Sequence, residues 1–141
     1  MHSEGGGVLL SGLRVFVVDD HADSVELFPA VLGSAGAQVQ AFRSALEALD
    51  AFAALRPDVL VCDLAMPGLN GFELIRRLRA AGWTNPAVAV SAMVRAQDKA
   101  EALAAGFDMH LAKPVDIDAL VEAVVTLSGR TGDTDGLPDV G

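Results

Sequence analysis

Three acids stand where the chain is otherwise apolar. The run Val15-Phe16-Val17-Val18 passes straight into Asp19-Asp20, and Val59-Leu60-Val61-Cys62 passes straight into Asp63, four residues ahead of the turn signal Pro67-Gly68. A turn residue belongs beside the turn, so that role does not account for Asp63. Asp19-Asp20 alone also suits the cap of a following helix, since Asp is a favoured N-cap. Taken together, the three carboxylates make another chemistry available. If both runs are strands of one parallel sheet, the acids meet at the rim where such sheets bind ligands. Two unit charges about 5 Å apart repel by roughly 3 kcal/mol at an effective dielectric of about 20, which calls for a compensating cation. Oxygen donors of this kind suit Mg2+, which keeps several waters and takes one or two carboxylates beside a substrate phosphate. An aspartate next to such an ion can accept a phosphoryl group.

Two further residues fall at the ends of later apolar runs. Ser91 closes Val88-Ala89-Val90, and its hydroxyl can donate to a phosphoryl oxygen or cap the next helix. Lys113, in His110-Leu111-Ala112-Lys113-Pro114, carries an ammonium that pairs with carboxylate or phosphate as a point charge. Each has an ordinary surface explanation by itself. Acids, hydroxyl and lysine at successive run ends form an ordered constellation.

The elements that must position these groups follow from periodicity. Short β-branched runs alternate with longer helical periods, the pattern of βαβ units and a parallel sheet covered on both faces. The spacing predicts strands over Leu13 to Val18, Gln38 to Phe42, Val59 to Cys62, Ala87 to Val90 and Met109 to Leu111. A first helix, about Ala22 to Ala35, carries Pro29 in mid-course, where the lost backbone hydrogen bond should bend it. Ser44-Ala45-Leu46-Glu47 has the form of a capping box, with Leu46, Leu49, Phe52 and Ala53 on one face and Pro57 as the stop. Asn70 caps a helix through Leu74, Ile75 and Leu78 to about Gly82, and Asp116 caps one through Ile117, Leu120, Val121, Val124 and Val125. His21 reads as an exposed residue at the start of the first helix, and Cys62 as a buried, inert thiol.

Bulk properties narrow the function. A chain of 141 residues fits one domain, here residues 12–129, with period-free tails or linker stubs over 1–11 and 130–141. The 12 residues of the second tail are too few to fold alone, so output is expected through binding. No apolar run approaches the roughly 20 residues of a membrane span, and the N-terminus lacks the parts of a secretory signal, which makes the cytoplasm the expected address. A net charge of -9 repels phosphate backbones and argues against direct nucleic-acid binding. The first strand leads into Asp19-Asp20-His21 rather than a Gly-rich phosphate cradle, which argues against a nucleotide site. An enzyme turning over phosphoesters through an aspartyl-phosphate would need a general acid near Asp63, where Ala65 stands instead.

Four segments in order, VFVVDD (Val15 to Asp20), PDVLVCDLAMPGLNGFEL (Pro57 to Leu74), VAVSAM (Val88 to Met93) and GFDMHLAKPV (Gly106 to Val115), carry a resemblance. Over about residues 12 to 128 the chain resembles the receiver domains of two-component response regulators. The resemblance implies a flavodoxin-like, doubly wound sheet of five parallel strands in the order 2-1-3-4-5, with helices on both faces. It implies that Asp63 accepts a phosphoryl group from the phosphohistidine of a histidine kinase or phosphotransfer protein. Asp20, Asp63 and the Ala65 carbonyl would bind Mg2+ directly, with Asp19 acting mainly through water. Lys113 would hold a phosphoryl oxygen opposite the metal. Ser91 would be drawn to the phosphoryl group after transfer, altering the surface around strand five and its flanking helices for a downstream protein.

The same resemblance implies a signalling domain rather than an enzyme, with slow to moderate self-dephosphorylation, because the Ala65 side chain offers no hydrogen bond to an attacking water. It also implies a cis bond before Pro114. One departure is His110, a smaller, titratable ring at a switch position usually held by Tyr or Phe; an inward, hydrogen-bonded histidine is the plain alternative to a part in signalling. The rival reading of the whole chain is a degenerate receiver that serves as an interaction module without phosphorylation. The AKPVD stretch, Ala112 to Asp116, resembles receivers of hybrid histidine kinases, and a stand-alone regulator fits as well.

Overall fold

Each apolar run becomes a strand of one parallel sheet, and the intervening helical periods cover it on both sides. The structure, a computed structural model, describes residues 9–92 and 95–129. In chain order the elements are β1 (Arg14–Val18), α1 (Ala22–Ser34), β2 (Gln38–Phe42), α2 (Ala45–Leu55), β3 (Val59–Asp63), α3 (Gly71–Ala80), β4 (Ala87–Ser91), α4 (Ala96–Ala105), β5 (Met109–Ala112) and α5 (Ile117–Ser128). The strands lie in the order β2-β1-β3-β4-β5 and every neighbouring pair is parallel, the flavodoxin-like arrangement.

Strand alternation sorts the core into two layers. Phe16, Val18, Leu60 and Cys62 point to one face, where Phe52 of α2 and Leu74, Ile75 and Leu78 of α3 cover them. Val15, Val17, Val59 and Val61 point to the other, under Phe28 and Leu32 of α1 and Leu120 and Val124 of α5. The first layer contains an aromatic chain. Phe16 meets Phe52 edge-on at 5.4 Å, and Phe52 meets Trp83 edge-on at 5.0 Å, with the Trp83 Nε1–H donating to the Pro57 carbonyl at 3.0 Å. Such pairs add about 0.5–1.5 kcal/mol each beyond the area they bury.

The strand ends differ from the sequence reading in a way that matters for the site. β3 extends to Asp63 and β4 to Ser91, so both residues belong to the ladder rather than to the loops behind it. Asp63 pairs with Val90, and Ser91 with Ala112. A buried polar side chain does not stop its own backbone from pairing, and pairing satisfies groups that burial would otherwise orphan.

Helix faces needed correction too. In α2 the buried residues are Ala45, Ala48 and Phe52, whereas Leu46 is 59% exposed and Ala53 is exposed. The helix turns its one aromatic side chain inward and lets small alanines sit close to the sheet. Only half of the expected capping box forms, since Ser44 Oγ accepts the Glu47 N–H at 3.2 Å while the Glu47 carboxylate takes the Arg43 N–H at 3.4 Å. On α3 the box is complete, with Asn70 and Glu73 each accepting the other's backbone N–H at 2.9 and 3.0 Å. Asp116 caps α5 by accepting the Asp118 N–H at 3.1 Å, and Ile117 faces outward. Pro29 lies inside α1. Among the described residues, no helix is long and apolar enough to cross a membrane.

Candidate functional site

The carboxyl rim of the sheet is built by the strand ends themselves. Asp19 follows β1, its N–H still donating to the Phe42 carbonyl at 3.0 Å, and it is fully buried. Its Oδ1 accepts the His21 N–H at 2.9 Å, which fixes the side chain in a tight turn. Asp20 comes next, its carbonyl held by the Arg43 guanidinium at 2.9 Å. Asp63 ends β3 at 2% exposure, with its Oδ1 accepting the Ala65 N–H at 3.3 Å. Lys113 follows β5, its N–H donating to the Ser91 carbonyl at 2.9 Å, and the Lys113–Pro114 bond is cis. From there its Nζ reaches Asp19 Oδ2 at 2.8 Å and Asp63 Oδ2 at 3.4 Å.

Gly71 braces this arrangement from behind. Its N–H donates to the Leu64 carbonyl at 3.0 Å, and a Cβ at this position would run into the Asp63 carbonyl and the Leu64 backbone. The first residue of α3 therefore lies directly against the acid's own peptide, an approach open only to glycine.

The cluster is electrostatically uneven. Burial pushes the Asp63 carboxyl up, and the neighbouring Asp19 charge pushes it the same way, so its pKa lies above the ordinary carboxylate value. Burial also acts on Asp19, but the hydrogen bonds from Lys113 and His21 together outweigh it and hold that carboxyl low. Burial alone would lower Lys113, yet the Asp19 hydrogen bond and the two carboxylate charges raise it, and the lysine stays an ammonium. Behind the rim, Cys62 is a free, buried thiol donating to the Asp63 carbonyl at 3.1 Å, and burial pushes its pKa well up. A thiol so held is inert.

The donor set fits a divalent cation. Asp20 Oδ1 is buried without a hydrogen-bond partner, and ligand atoms of Asp19, Asp20, His21 and Asp63 all lie within 4.8 Å of one another. Octahedral coordination with bonds of about 2.1 Å places neighbouring donors about 3 Å apart and opposite donors about 4.2 Å apart, so atoms within 4.8 Å of one another need only a small inward shift to close on an ion.

The structure thus gathers Asp19, Asp20, Asp63 and Lys113 around one point, with the Ala65 N–H on Asp63 and buried Ser91 on the same rim. His110 lies lower on β5, half-buried and paired with Ala89. His21 is exposed and at the helix start, as read from the sequence, but its ring turns back into the acids, with Nδ1 3.0 Å from Asp19 Oδ1. That contact was missed. Its one signal was adjacency to the acid pair.

A doubly wound sheet with three carboxylates and a lysine at its carboxyl rim defines a class of flavodoxin-like α/β domains with an acidic edge. The family model for the response regulator receiver domain matches residues 15–125. A 14.6 kDa protein from the sodA1 3′ region of Leptolyngbya boryana is 41% identical over 117 residues, covering 82% of this chain and 89% of that one. The sensor histidine kinase RcsC of Salmonella typhi is 34% identical over 122 residues, 86% of this chain but only 13% of the kinase. Among solved structures, the receiver domain of Francisella response regulator 1452 superposes with a TM-score of 0.80 at 30% identity, covering 84% of this chain and 98% of that one. The chain belongs to the response regulator receiver domain family.

Proposed function

We propose that this receiver is a phosphorylation switch in which Asp63 accepts a phosphoryl group from a phosphohistidine on a histidine kinase or phosphotransfer protein. The observation that carries the reading is the Lys113 ammonium between two buried carboxylates, 2.8 Å from Asp19 and 3.4 Å from Asp63. An Asp63 oxygen forms the new bond to phosphorus as the phosphorus–nitrogen bond of the donor breaks, its electron pair returning to the imidazole. Asp63 stands on a ladder-paired strand end braced by Gly71, so little ordering remains to be done at the moment of attack. Lys113 supplies a fixed positive charge for a phosphoryl oxygen. Held by Asp20, Asp63 and the Ala65 carbonyl, with Asp19 through water, Mg2+ would supply neutralisation of the phosphoryl oxygens as charge develops.

Output runs through Ser91 in this reading. Its hydroxyl turns toward the phosphoryl group, and its backbone carries the change outward, because the Ser91 carbonyl accepts the Lys113 N–H at 2.9 Å and Ser91 pairs with Ala112 in the ladder. β5, including His110, and the helices beside it then present a different surface to a downstream protein.

The test is to add Mg2+ with beryllofluoride, a mimic of the phosphoryl group, and follow backbone amide resonances. The expected result is displacement of Ser91, Lys113 and β5 signals in the native chain and none in Asp63→Asn. Unchanged spectra in the native chain would favour a degenerate receiver that binds its partners without phosphorylation.

A further inference from the structure

His21 is the one member of the cluster to which the phosphoacceptor reading gives no part. Its Nδ1 lies 3.0 Å from Asp19 Oδ1, 3.4 Å from Asp20 Oδ1 and 3.6 Å from Asp63 Oδ2, three oxygens from three different carboxylates. The ring has no evident part in holding the fold. It is 64% exposed, it caps α1 without a side-chain hydrogen bond, and the turn to Asp19 uses its backbone N–H instead. With its proton on Nδ1 the ring donates to Asp19 Oδ1 at 3.0 Å, and with its proton on Nε2 the Nδ1 lone pair faces three carboxylate oxygens. In the second form a cation between the ring and the carboxylates has the lone pair and all three oxygens pointing at positive charge.

We infer that His21 is a ligand of the divalent ion through Nδ1, and that it shifts the preference of this site from Mg2+ toward borderline metals such as Zn2+. The inference rests on the reading of the acid cluster as the receiver's metal site. Its distances to the carboxylates fall within the spacing of neighbouring and opposite donors in a six-coordinate shell. Mg2+ selects oxygen donors and surrenders water reluctantly, so an imidazole gives it little. Zn2+ and other late first-row ions bind imidazole well, and one nitrogen among three carboxylates is enough to separate them from Mg2+.

Calorimetric titration of the full chain with Mg2+ and with Zn2+ reads both preferences, and nitrogen-15 spectra of the imidazole rings report coordination directly. Zn2+ is expected to bind more tightly than Mg2+ and to shift the Nδ1 signal of one ring that is missing from His21→Ala. In that variant Zn2+ affinity falls on the order of tenfold while Mg2+ affinity falls far less. Equal Zn2+ affinity in both proteins, an equal loss for both metals, or a His21 ring signal that zinc does not move would each overturn the inference. Asp63→Asn separates it from its premise. If Mg2+ binds the native chain and not Asp63→Asn, the metal site stands and only the His21 assignment is at stake; if Mg2+ fails to bind the native chain, both fall.

Discussion

Asp19 and Asp63 are the same chemical group at nearly the same depth, yet their surroundings push them in opposite directions. Asp63 holds its proton longer in the folded chain than in the unfolded one, so its contribution to stability declines as pH rises from the ordinary carboxylate value through its raised one. Asp19 behaves oppositely, contributing above the unfolded value and losing that contribution as pH falls through its lowered one. Without metal at pH 7, Asp63→Asn should therefore stabilise the fold by about 1 kcal/mol, roughly 4 °C in Tm, because it removes a repulsive buried charge. Asp19→Asn should destabilise it by about 1–2 kcal/mol, since it removes the closer Lys113 partner. Thermal unfolding in a chelator checks both signs. Ala65→Asn tests a different property: an amide two residues past the acceptor can hold an attacking water, and the phosphoryl lifetime should shorten. An unchanged lifetime would contradict the role given to Ala65. Asp63, Asp19 and Lys113 were legible because each breaks an apolar run or follows one. The ring of His21 was not, since a linear pattern does not tell where an exposed side chain turns.

At the scale of elements, the site depends on how tightly α3 abuts β3. Gly71→Ala forces a methyl group against the Asp63 carbonyl and the Leu64 backbone, and should cost about 1–3 kcal/mol in denaturant unfolding. Metal binding should weaken with it, since the displaced peptide carries the acceptor. At the other end of α3, Arg79 donates to the carbonyls of Trp83, Asn85 and Gly106 at 2.6 to 3.1 Å and stacks on Trp83 at 4.9 Å. Arg79→Ala should lose about 2 kcal/mol of stability and leave Mg2+ affinity unchanged, because the contacts lie far from the rim. A loss of metal affinity in that variant would show coupling along α3. Strand placement was legible to within a residue because apolar runs in a buried parallel sheet are nearly continuous. The face of α2 was not. An alanine-rich helix offers two adjacent apolar stripes, and the choice between them fell to Phe52 fitting beside Phe16 and Trp83. The period of α4 is weak for a related reason, since its inward residues are Asp98, Ala102 and Ala105 while Leu103 is half-exposed.

For the whole molecule, five strand–helix alternations sufficed to anticipate a parallel sheet covered on both faces, because parallel strands need crossovers, whereas the strand order followed only from the resemblance to receiver domains. That order sets β1 and β3 side by side and brings Lys113 from β5 across to both acids. What one chain's pattern does not contain is the partner. The relatives differ in the same respect, one being slightly shorter than this chain and another a kinase of which the matching part is 13%. Phosphorylation at Asp63 is proposed for this chain in either setting, and it is the claim to test first. Intact mass should be measured after incubation with acetyl phosphate, with and without Mg2+, for the native chain and Asp63→Asn. The account predicts the addition of one phosphoryl group to the native chain, abolished by removing the metal and by the substitution. No addition to the native chain, or the same addition to Asp63→Asn, would contradict it.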